Sequence, residues 1–194
     1  MKYDLIVAGV GGQGALSISA IIAASALEEG LHVKQSEVHG MSQRGGAVQA
    51  NLRLSDAPIH SDLVPVGTAD LLLSMEPLEA LRYVRYLGPR GRLLAASEPV
   101  VNIPDYPELE RVHASVRELA GAKLLDATRL AREAGSARAT NMVIIGAASH
   151  LLPVKPETLR GFIARTFARK GEKVVEANLQ AFEAGRGAVQ WQES

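Results

Sequence analysis

The 194-residue sequence contains no cysteine at any position. Without cysteine, the chain cannot form disulfide bonds, supply a thiol nucleophile, or ligate zinc or an iron–sulfur cluster through thiolates. Any cysteine-ligated iron–sulfur cluster that works with this chain must therefore be held by another polypeptide.

An excess of charge of one sign is also missing. The 21 lysines and arginines balance the 21 aspartates and glutamates, so the formal net charge is zero. Nucleic acids and anionic membrane surfaces attract basic patches, and the balanced composition predicts neither of them as a partner. A chain near neutrality has little charge repulsion to keep molecules apart, which is compatible with assembly.

Long apolar runs are absent as well. No run approaches the roughly 20 residues that span a bilayer. The N-terminal residues MKYDLIVAGVGGQG lack the apolar region and the small-residue cleavage site of a secretory signal. The hydrophobic fraction of 47% is ordinary for a globular domain with a sizeable core. We expect a cytoplasmic protein without a membrane segment.

The first 35 residues have the pattern of a β-α-β unit. Residues 3–10 form a short apolar run that ends in glycines, which is typical of a buried strand leading into a turn. Residues 12–29 have a helix-like composition closed by Gly30, and residues 31–35 resemble a second strand. A unit of about 30 residues in this order predicts a right-handed crossover.

The rest of the chain alternates between strand-like and helix-like segments. Further strands are predicted at residues 47–54, 69–75, 91–96 and 123–126, and the proline-bearing residues 100–107 are irregular. Helices are predicted from about Pro77, after a capping Asp126, in the apolar segment 141–152, and at residues 155–168 and 172–186. We predict one domain over residues 1–194 with an α/β fold, in which a doubly wound, mostly parallel, Rossmann-like sheet precedes a helical C-terminal third.

Residues 9–14, the glycine loop, read Gly-Val-Gly-Gly-Gln-Gly and follow the first strand. Gly9, Gly11 and Gly14 match the G-x-G-x-x-G pattern, with Gly12 and Gln13 between them. Such a loop lets the backbone approach a ligand, and the amides at the start of the next helix attract phosphate. The same glycines also serve in a tight strand-to-helix turn that binds nothing. The pattern therefore leaves the ligand open.

Residues 36–46, SEVHGMSQRGG, form a second unusual segment. We predict a loop there, because the segment has three glycines, no strand alternation and no helical period. A loop at the carboxyl end of a strand lies where open α/β sheets bind ligands. Glu37 lies near the position of a ribose-binding acid, although the segment is more elaborate than that role requires. Its candidate site residues are Ser36, Glu37, His39, Ser42, Gln43, Arg44 and Gly45.

Several of these residue types have structural roles more often than catalytic ones. A lone histidine such as His39 is usually a hydrogen-bonding residue, and an arginine such as Arg44 is usually a salt-bridge partner. Glu76 and Glu79 are better explained as helix-start charges or a solvated face than as an acid–base pair. Trp191 either fills a groove on a partner or belongs to a disordered or self-packed tail. We assign no catalytic residue and no metal ligand.

The glycine loop and the sequence SEVHGMSQRGGAV, at their spacing, resemble the β subunit of indolepyruvate ferredoxin oxidoreductases. That subunit is equivalent to the γ domain of the pyruvate:ferredoxin oxidoreductase family. The resemblance covers nearly the whole chain and favours the aryl-pyruvate branch, because pyruvate-type γ domains are less similar in the 36–46 segment. It continues in residues 69–82, 124–135, 141–147 and 178–185.

The resemblance implies a division of labour between two chains. This chain is then the small, cofactor-free subunit, and a larger α subunit carries thiamine diphosphate, Mg²⁺ and the [4Fe–4S] clusters. The hetero-oligomer decarboxylates 2-oxoacids oxidatively, reduces ferredoxin and transfers the acyl group to coenzyme A. Two absences in the sequence agree with this role, namely cysteine and a GDG motif with downstream asparagines of the kind that thiamine enzymes use.

The resemblance also implies that the glycine loop and the 36–46 segment lie beside a shared active site. The glycine loop then receives a coenzyme A phosphate or contacts the partner. Arg44 binds an anionic group, Glu37 pairs with His39, and Ser42 and Gln43 donate hydrogen bonds to the partner or to Arg44. Two alternatives stay open: a free-standing NAD(P)-dependent oxidoreductase and a regulatory nucleotide-binding module.

Overall fold

A computed structural model describes residues 1–40 and 45–191, and these residues form a mixed α/β structure around one six-stranded sheet. The order of the strands across the sheet is β2-β3-β1-β4-β5-β6. The strands are β1 (Lys2–Val10), β2 (His32–His39), β3 (Ala47–Ser55), β4 (Ala69–Ser74), β5 (Leu87–Ala96) and β6 (Ala122–Leu125).

The sheet is mostly parallel, as predicted. Strands β1, β4, β5 and β6 pair in parallel, whereas β3 runs antiparallel to both of its neighbours, β1 and β2. Strands β1 and β2 therefore run in the same direction but are separated by β3. The two strands of the predicted β-α-β unit are not neighbours, which departs from the usual dinucleotide-binding order.

The prediction that residue 36 begins a loop was wrong, because β2 continues to His39. The register pairs Ser36 with Asn51 and His39 with Val48, so the strand follows β3 for its whole length. Backbone hydrogen bonds between strands do not depend on the side chains, and an edge strand with exposed side chains does not need a strict apolar alternation.

Seven α-helices flank the sheet among the described residues, and the predicted helices are present. The helix over Leu109–Arg117 was not predicted, and the predicted irregular segment 100–107 precedes it. The helices are α1 (Ala15–Glu28), α2 (Pro77–Tyr83), α3 (Leu109–Arg117), α4 (Ala127–Glu133), α5 (Thr140–Ala148), α6 (Pro156–Phe167) and α7 (Glu172–Ala188).

The helices cover both faces of the sheet, so the core has two layers. Leu5 and Val7 of β1 face a large cluster that includes α1, α5, α6 and α7. Ile6 and Ala8 face a smaller cluster that includes residues of α2 and α3. Successive residues of a strand point to opposite faces, so β1, buried on both, reads as a continuous apolar run.

Helix α5 is buried on all sides and contacts α7 through glycine. A Cβ atom at Gly185 would lie 2.0 Å from the carbonyl oxygen of Val143, so the two backbones touch at this point. Beyond α7, the indole nitrogen of Trp191 donates to the carbonyl oxygen of Ala147 at 3.0 Å. Trp191 therefore packs against its own chain, as one of the two interpretations predicted.

None of the helices described here is long and apolar enough to cross a membrane.

Candidate functional site

The glycine loop joins β1 to α1, and its glycines have different roles. Gly14 has a φ of +85°, and a Cβ atom there would lie 2.9 Å from the side-chain nitrogen of Asn141. A Cβ atom at Gly9 would lie 3.1 Å from the Cβ of Met75. Gly12 has a φ of +104°, and none of the described atoms beyond its chain neighbours lies within 4 Å of its missing Cβ. Gly9 and Gly14 thus serve packing, whereas Gly12 is open to a ligand or a partner.

Gln13 folds back onto the loop instead of pointing outward. Its Oε1 accepts a hydrogen bond from the Val10 amide at 2.8 Å, and its Nε2 donates to the Met75 carbonyl at 2.8 Å. The Gln13 amide also donates to the Val10 carbonyl at 3.1 Å. Together these bonds hold the loop in one shape and tie it to the end of β4.

The glycine loop is hydrogen-bonded to the end of the 36–46 segment. The Gly11 amide donates to the Gly46 carbonyl at 2.8 Å, and the Gly45 amide donates to the Gly11 carbonyl at 3.2 Å. The side chain of Asn102 donates to the Gly45 carbonyl at 2.7 Å. The two segments that the sequence singled out are therefore one structural unit.

Glu37 and His39 lie on the same face of β2 and line a cavity of about 290 Å³ together with Gly11, Gly12 and Val48. The Nε2 of His39 is 4.0 Å from the Oε1 of Glu37, and its Nδ1 is 3.2 Å from the Gly40 carbonyl. This contact favours the neutral tautomer with the proton on Nδ1, which then donates a hydrogen bond to the Gly40 carbonyl. A hydrogen bond was predicted between Glu37 and His39, but at 4.0 Å the two side chains form a loose, half-exposed ion pair instead.

Ser36 is not part of this group. Because neighbouring residues of a strand point to opposite faces, its side chain lies across the sheet from Glu37, and its hydroxyl donates to the Asp62 carbonyl at 3.5 Å. Ser42, Gln43 and Arg44 lie outside the described residues, and their assignments stay predictions.

A second cavity, of about 600 Å³, lies on the other side of the glycine loop. Gly12 lines both cavities, so the loop forms a ridge between them. The second cavity lies at the carboxyl edge of the parallel strands, where open α/β sheets bind ligands. Its other lining residues include Gln13, Met75, Glu98, Arg138 and Thr140.

Glu98 is the functional candidate that sequence reasoning missed. Its Oε1 accepts from the Thr128 amide at 3.0 Å, whereas its Oε2 is buried without a hydrogen-bond donor among the described residues. Burial, followed by a hydrogen bond with Asp126, raises the pKa of the Glu98 carboxyl. The same hydrogen bond is the main reason that the pKa of Asp126 is lowered. These opposite shifts favour Glu98 over Asp126 as the carboxyl that binds the first proton.

The sequence position of Glu98 could have identified it as a candidate, because it closely follows a predicted strand at the ligand-binding edge of the sheet. Asp126 follows the next strand, β6, and accepts from the Arg129 amide at 2.9 Å. Asp126 therefore caps α4 as predicted. The proximity of the two acids was not visible in the sequence, because 28 residues separate them.

Glu76 and Glu79 are buried, so the interpretation of a solvated face was wrong and that of helix-start charges was confirmed for Glu76. Their exposed fractions are 1% and 3%. Glu76 caps α2 by accepting from the Glu79 amide at 2.7 Å. Burial raises the pKa of Glu79, and Arg82, whose Nε lies 3.2 Å away, opposes that rise.

Comparison with known proteins identifies relatives over almost the whole chain. The family model described as pyruvate ferredoxin/flavodoxin oxidoreductase matches residues 4–188. The indolepyruvate oxidoreductase subunit IorB of Pyrococcus horikoshii is 38% identical over 194 aligned residues, which cover 95% of this chain and 94% of that protein.

Two solved structures have the same fold. The 2-oxoglutarate:ferredoxin oxidoreductase of Magnetococcus marinus, solved with 2-oxoglutarate, coenzyme A and succinyl-CoA, matches with a TM-score of 0.76 at 23% identity. That match covers 99% of this chain but 32% of the other chain. The γ subunit of a keto/oxoacid ferredoxin oxidoreductase from Geobacter sulfurreducens matches with a TM-score of 0.69 at 26% identity, over 95% and 96% of the two chains. The fold thus occurs both within a longer chain and as a separate subunit.

Proposed function

Because the chain belongs to the pyruvate ferredoxin/flavodoxin oxidoreductase family, we propose that it is the small, cofactor-free subunit of an indolepyruvate-type 2-oxoacid:ferredoxin oxidoreductase. The observation that carries the proposal is the 38% identity to an IorB subunit across 95% of this chain and 94% of that one. Similarity over both full lengths, rather than over one motif, favours the same role in the same kind of assembly. The subunit acts as part of this enzyme and not alone.

In the proposed hetero-oligomer a larger α subunit holds the cofactors. The present chain has no cysteine with which to ligate an iron–sulfur cluster. Thiamine diphosphate with Mg²⁺ supplies the chemistry for decarboxylation on that subunit, and [4Fe–4S] clusters carry the electrons. In the overall reaction one 2-oxoacid loses CO2 and two electrons, ferredoxin accepts the electrons, and the acyl group forms a thioester with coenzyme A.

The role of the present chain is to complete the active site with the ridge between its two cavities. Gly12 leaves the backbone of the ridge open, and the glycine loop lies at the N-terminus of α1, where amides and the helix dipole favour an anion. A phosphate of coenzyme A has the charge that this position favours. The same open backbone also suits a close contact with the partner subunit.

The 36–46 segment is proposed to face the same shared site. Glu37 and His39 line the smaller cavity beside the glycine loop. The guanidinium of Arg44 has the geometry to bind a carboxylate or a phosphate through two parallel hydrogen bonds. Ser42 and Gln43 are assigned hydrogen bonds to Arg44 or to the partner.

The test is to purify the chain together with the α subunit encoded beside it and to measure ferredoxin reduction. We expect a stable complex whose ferredoxin reduction requires indolepyruvate and coenzyme A. The small subunit purified alone should be colourless and inactive. Failure of the complex to form, or an active complex without this chain, would contradict the proposal. Replacing Arg44 with alanine then separates two roles: an assembled but inactive complex indicates a site residue, whereas lost assembly indicates an interface residue.

The second candidate is a nucleotide-binding protein, because Glu37 and the glycine loop line one cavity. Against it, β3 separates β1 from β2, whereas in the dinucleotide-binding order the second strand lies beside the first. Titration of the isolated chain with NADH and NADPH distinguishes the candidates. Binding in the micromolar range favours a free-standing oxidoreductase. A regulatory module would instead bind nucleotide and change a partner's activity without being required for electron transfer.

A further inference from the structure

The junction between β4 and α2 is connected to both halves of the candidate site. On one side, the Met75 carbonyl accepts from Gln13 of the glycine loop at 2.8 Å. On the other side, the neighbouring Glu76 contacts the chain between β5 and α3, residues 97–108, which we call the 97–108 connection. The junction can therefore fix the position of the glycine loop relative to the 97–108 connection.

Glu76 holds the 97–108 connection at two points. Its Oε1 accepts from the Val100 amide at 3.4 Å and from the Tyr106 hydroxyl in a short hydrogen bond. Its Oε2 accepts from the Glu79 amide at 2.7 Å. A carboxylate that is 1% exposed is costly to bury, and these three neutral donors are what offsets the cost.

A glutamate at position 76 can do more than cap helix α2. Helix N-caps are usually Ser, Thr, Asp or Asn, whose short side chains reach the first free amides of the helix. Glutamate is one methylene longer than aspartate. That added length lets one oxygen cap α2 while the other reaches the 97–108 connection.

Asn102 lies between the two points that Glu76 holds, and it contacts the site directly. Its side-chain amide donates to the Gly45 carbonyl at 2.7 Å, and the Gly45 amide donates to the Gly11 carbonyl at 3.2 Å. Together with the backbone that joins Asn102 to Val100 and Tyr106, these hydrogen bonds form a closed circuit. It runs from the glycine loop through Gly45, Asn102 and the 97–108 connection to Glu76 and Met75, and it returns through Gln13.

We propose that Glu76, Tyr106 and Asn102 are positioning residues for the candidate site. Glu76 and Tyr106 place the 97–108 connection, and Asn102 then holds Gly45 against Gly11 and so sets the shape of the glycine loop and its open Gly12. This inference rests on the proposed function for its effect on turnover. Its structural part stands on the contacts alone.

Three variants remove successive parts of the circuit. Glu76→Asp keeps a good N-cap for α2 but is too short to reach Val100 and Tyr106. Tyr106→Phe removes only the hydroxyl, and Asn102→Ala removes only the contact to Gly45. Tyr86→Phe is the matched control, because the ring of Tyr86 packs against Tyr83 on the α2 side, with a centroid distance of 6.3 Å.

The first measurement is amide hydrogen exchange in the full chain, followed at the hydrogen-bonded amides of Gly11 and Gly45. We expect each of the three variants to raise exchange at these amides by about five- to tenfold, since each loses one or two of the hydrogen bonds that hold Gly45 against Gly11. Tyr86→Phe should leave them unchanged. Unchanged exchange in Glu76→Asp and Asn102→Ala would overturn the proposal.

The second measurement is steady-state kinetics of the assembled complex with the α subunit. We expect the KM for coenzyme A to rise by about five- to tenfold at nearly constant kcat, because an ill-positioned loop weakens binding more than chemistry. The double variant Tyr106→Phe/Asn102→Ala should show no more than the larger single effect, since both changes break one circuit. Additive effects, or a KM equal to that of Tyr86→Phe, would contradict the inference. A wild-type complex that reduces no ferredoxin would refute the proposed function instead, and hydrogen exchange would still decide the structural part.

Discussion

Glycine serves opposite purposes in two regions of this chain. Between α5 and α7, Gly146 and Gly185 let two helix backbones touch, and a Cβ atom at Gly146 would lie 1.9 Å from the carbonyl oxygen of Phe182. At the carboxyl edge of the sheet, Gly12 has a φ of +104° and open space around it among the described residues. Glycine closes a core in the first region and keeps backbone accessible in the second. The recognisable motif contains Gly12, yet the severest steric constraints lie at the two helix glycines.

The two regions also differ in what holds them together. The α5–α7 contact belongs to an apolar cluster with Val143 and Phe182 fully buried. The edge region is held by side-chain to backbone hydrogen bonds, such as those from Gln13 to Met75 and from Asn102 to Gly45. Changes in the helix contact should therefore act on stability, and changes at the edge should act mainly on function.

The largest effect is expected for Gly185→Ala. Its new Cβ would meet backbone atoms that cannot rotate away, so the free energy of unfolding should fall by about 3 kcal/mol or more, with loss of folding as the extreme case. Urea denaturation measures this. Gly187→Ala in the same helix is the control, because nothing described lies within 4 Å of its missing Cβ. That control should stabilise by up to about 1 kcal/mol, and equal losses in both variants would remove the steric explanation.

The next largest effect on stability is expected for Gly12→Ala. An alanine at φ +104° is strained, so the free energy of unfolding should fall by about 1–2 kcal/mol. In the assembled complex, turnover should fall by about tenfold or more, because the new methyl group occupies the ridge and displaces what binds there. Thermal unfolding and ferredoxin reduction are compared on the same preparations. Full turnover in this variant would show that the ridge only makes a turn.

A smaller, pH-dependent effect is expected for Glu98→Gln. The raised pKa of Glu98 means that the folded chain binds a proton more tightly than the unfolded chain, so its ionisation lowers stability as pH rises above the ordinary glutamate value of 4.5. Glutamine keeps the acceptor for the Thr128 amide and a donor for Asp126 but does not ionise. The variant should match the wild type near pH 4 and exceed it near pH 8, by less than about 1 kcal/mol because the side chain is only partly buried and solvent screens its charge. Urea denaturation across this pH range measures it, and a variant that is less stable than the wild type at every pH would contradict the raised pKa of Glu98.

The smallest effect on stability is expected for Glu37→Gln. The Glu37 and His39 side chains are 38% and 29% exposed and their charged atoms lie 4.0 Å apart, so losing this ion pair should change stability by less than about 0.5 kcal/mol. A loss of turnover in the assembled complex without a loss of stability would assign Glu37 to the site. Unchanged turnover would leave it as an exposed pair on β2.

Much of the fold was predictable because it depends on local patterns. The apolar run before the glycine loop predicted β1, Asp126 predicted the start of α4, and the continuously apolar residues 141–152 predicted the buried α5. The end of β2 and the antiparallel β3 between β1 and β2 were not predictable in this way. Strand pairing is a contact between distant segments, and the polar side chains of an edge strand give little sign of it.

The candidate site was predictable only in part, for the same reason. The glycine loop and the 36–46 segment were recognised separately, and Glu37 and His39 do lie beside the glycine loop. Glu98 was missed because its significance comes from Asp126. The solvated-face interpretation of Glu76 and Glu79 was wrong because acidic residues at a helix start are usually exposed, whereas these two are buried. Ser36 was assigned to the site but points to the other face of the sheet.

By itself, the sequence determined the α/β class, the family, and the absence of thiolate chemistry, because composition, residue order and short motifs are sufficient for these. Only the tertiary structure decided which glycines are open and which are packed, which acids have shifted pKa values, and which acid holds the 97–108 connection in place. Those properties arise when residues far apart in the chain meet, as Asn102 meets Gly45 across 57 residues. Where such residues are buried together and water is excluded, the pKa of a carboxyl shifts and an added methyl group costs free energy. A local sequence pattern predicts neither effect.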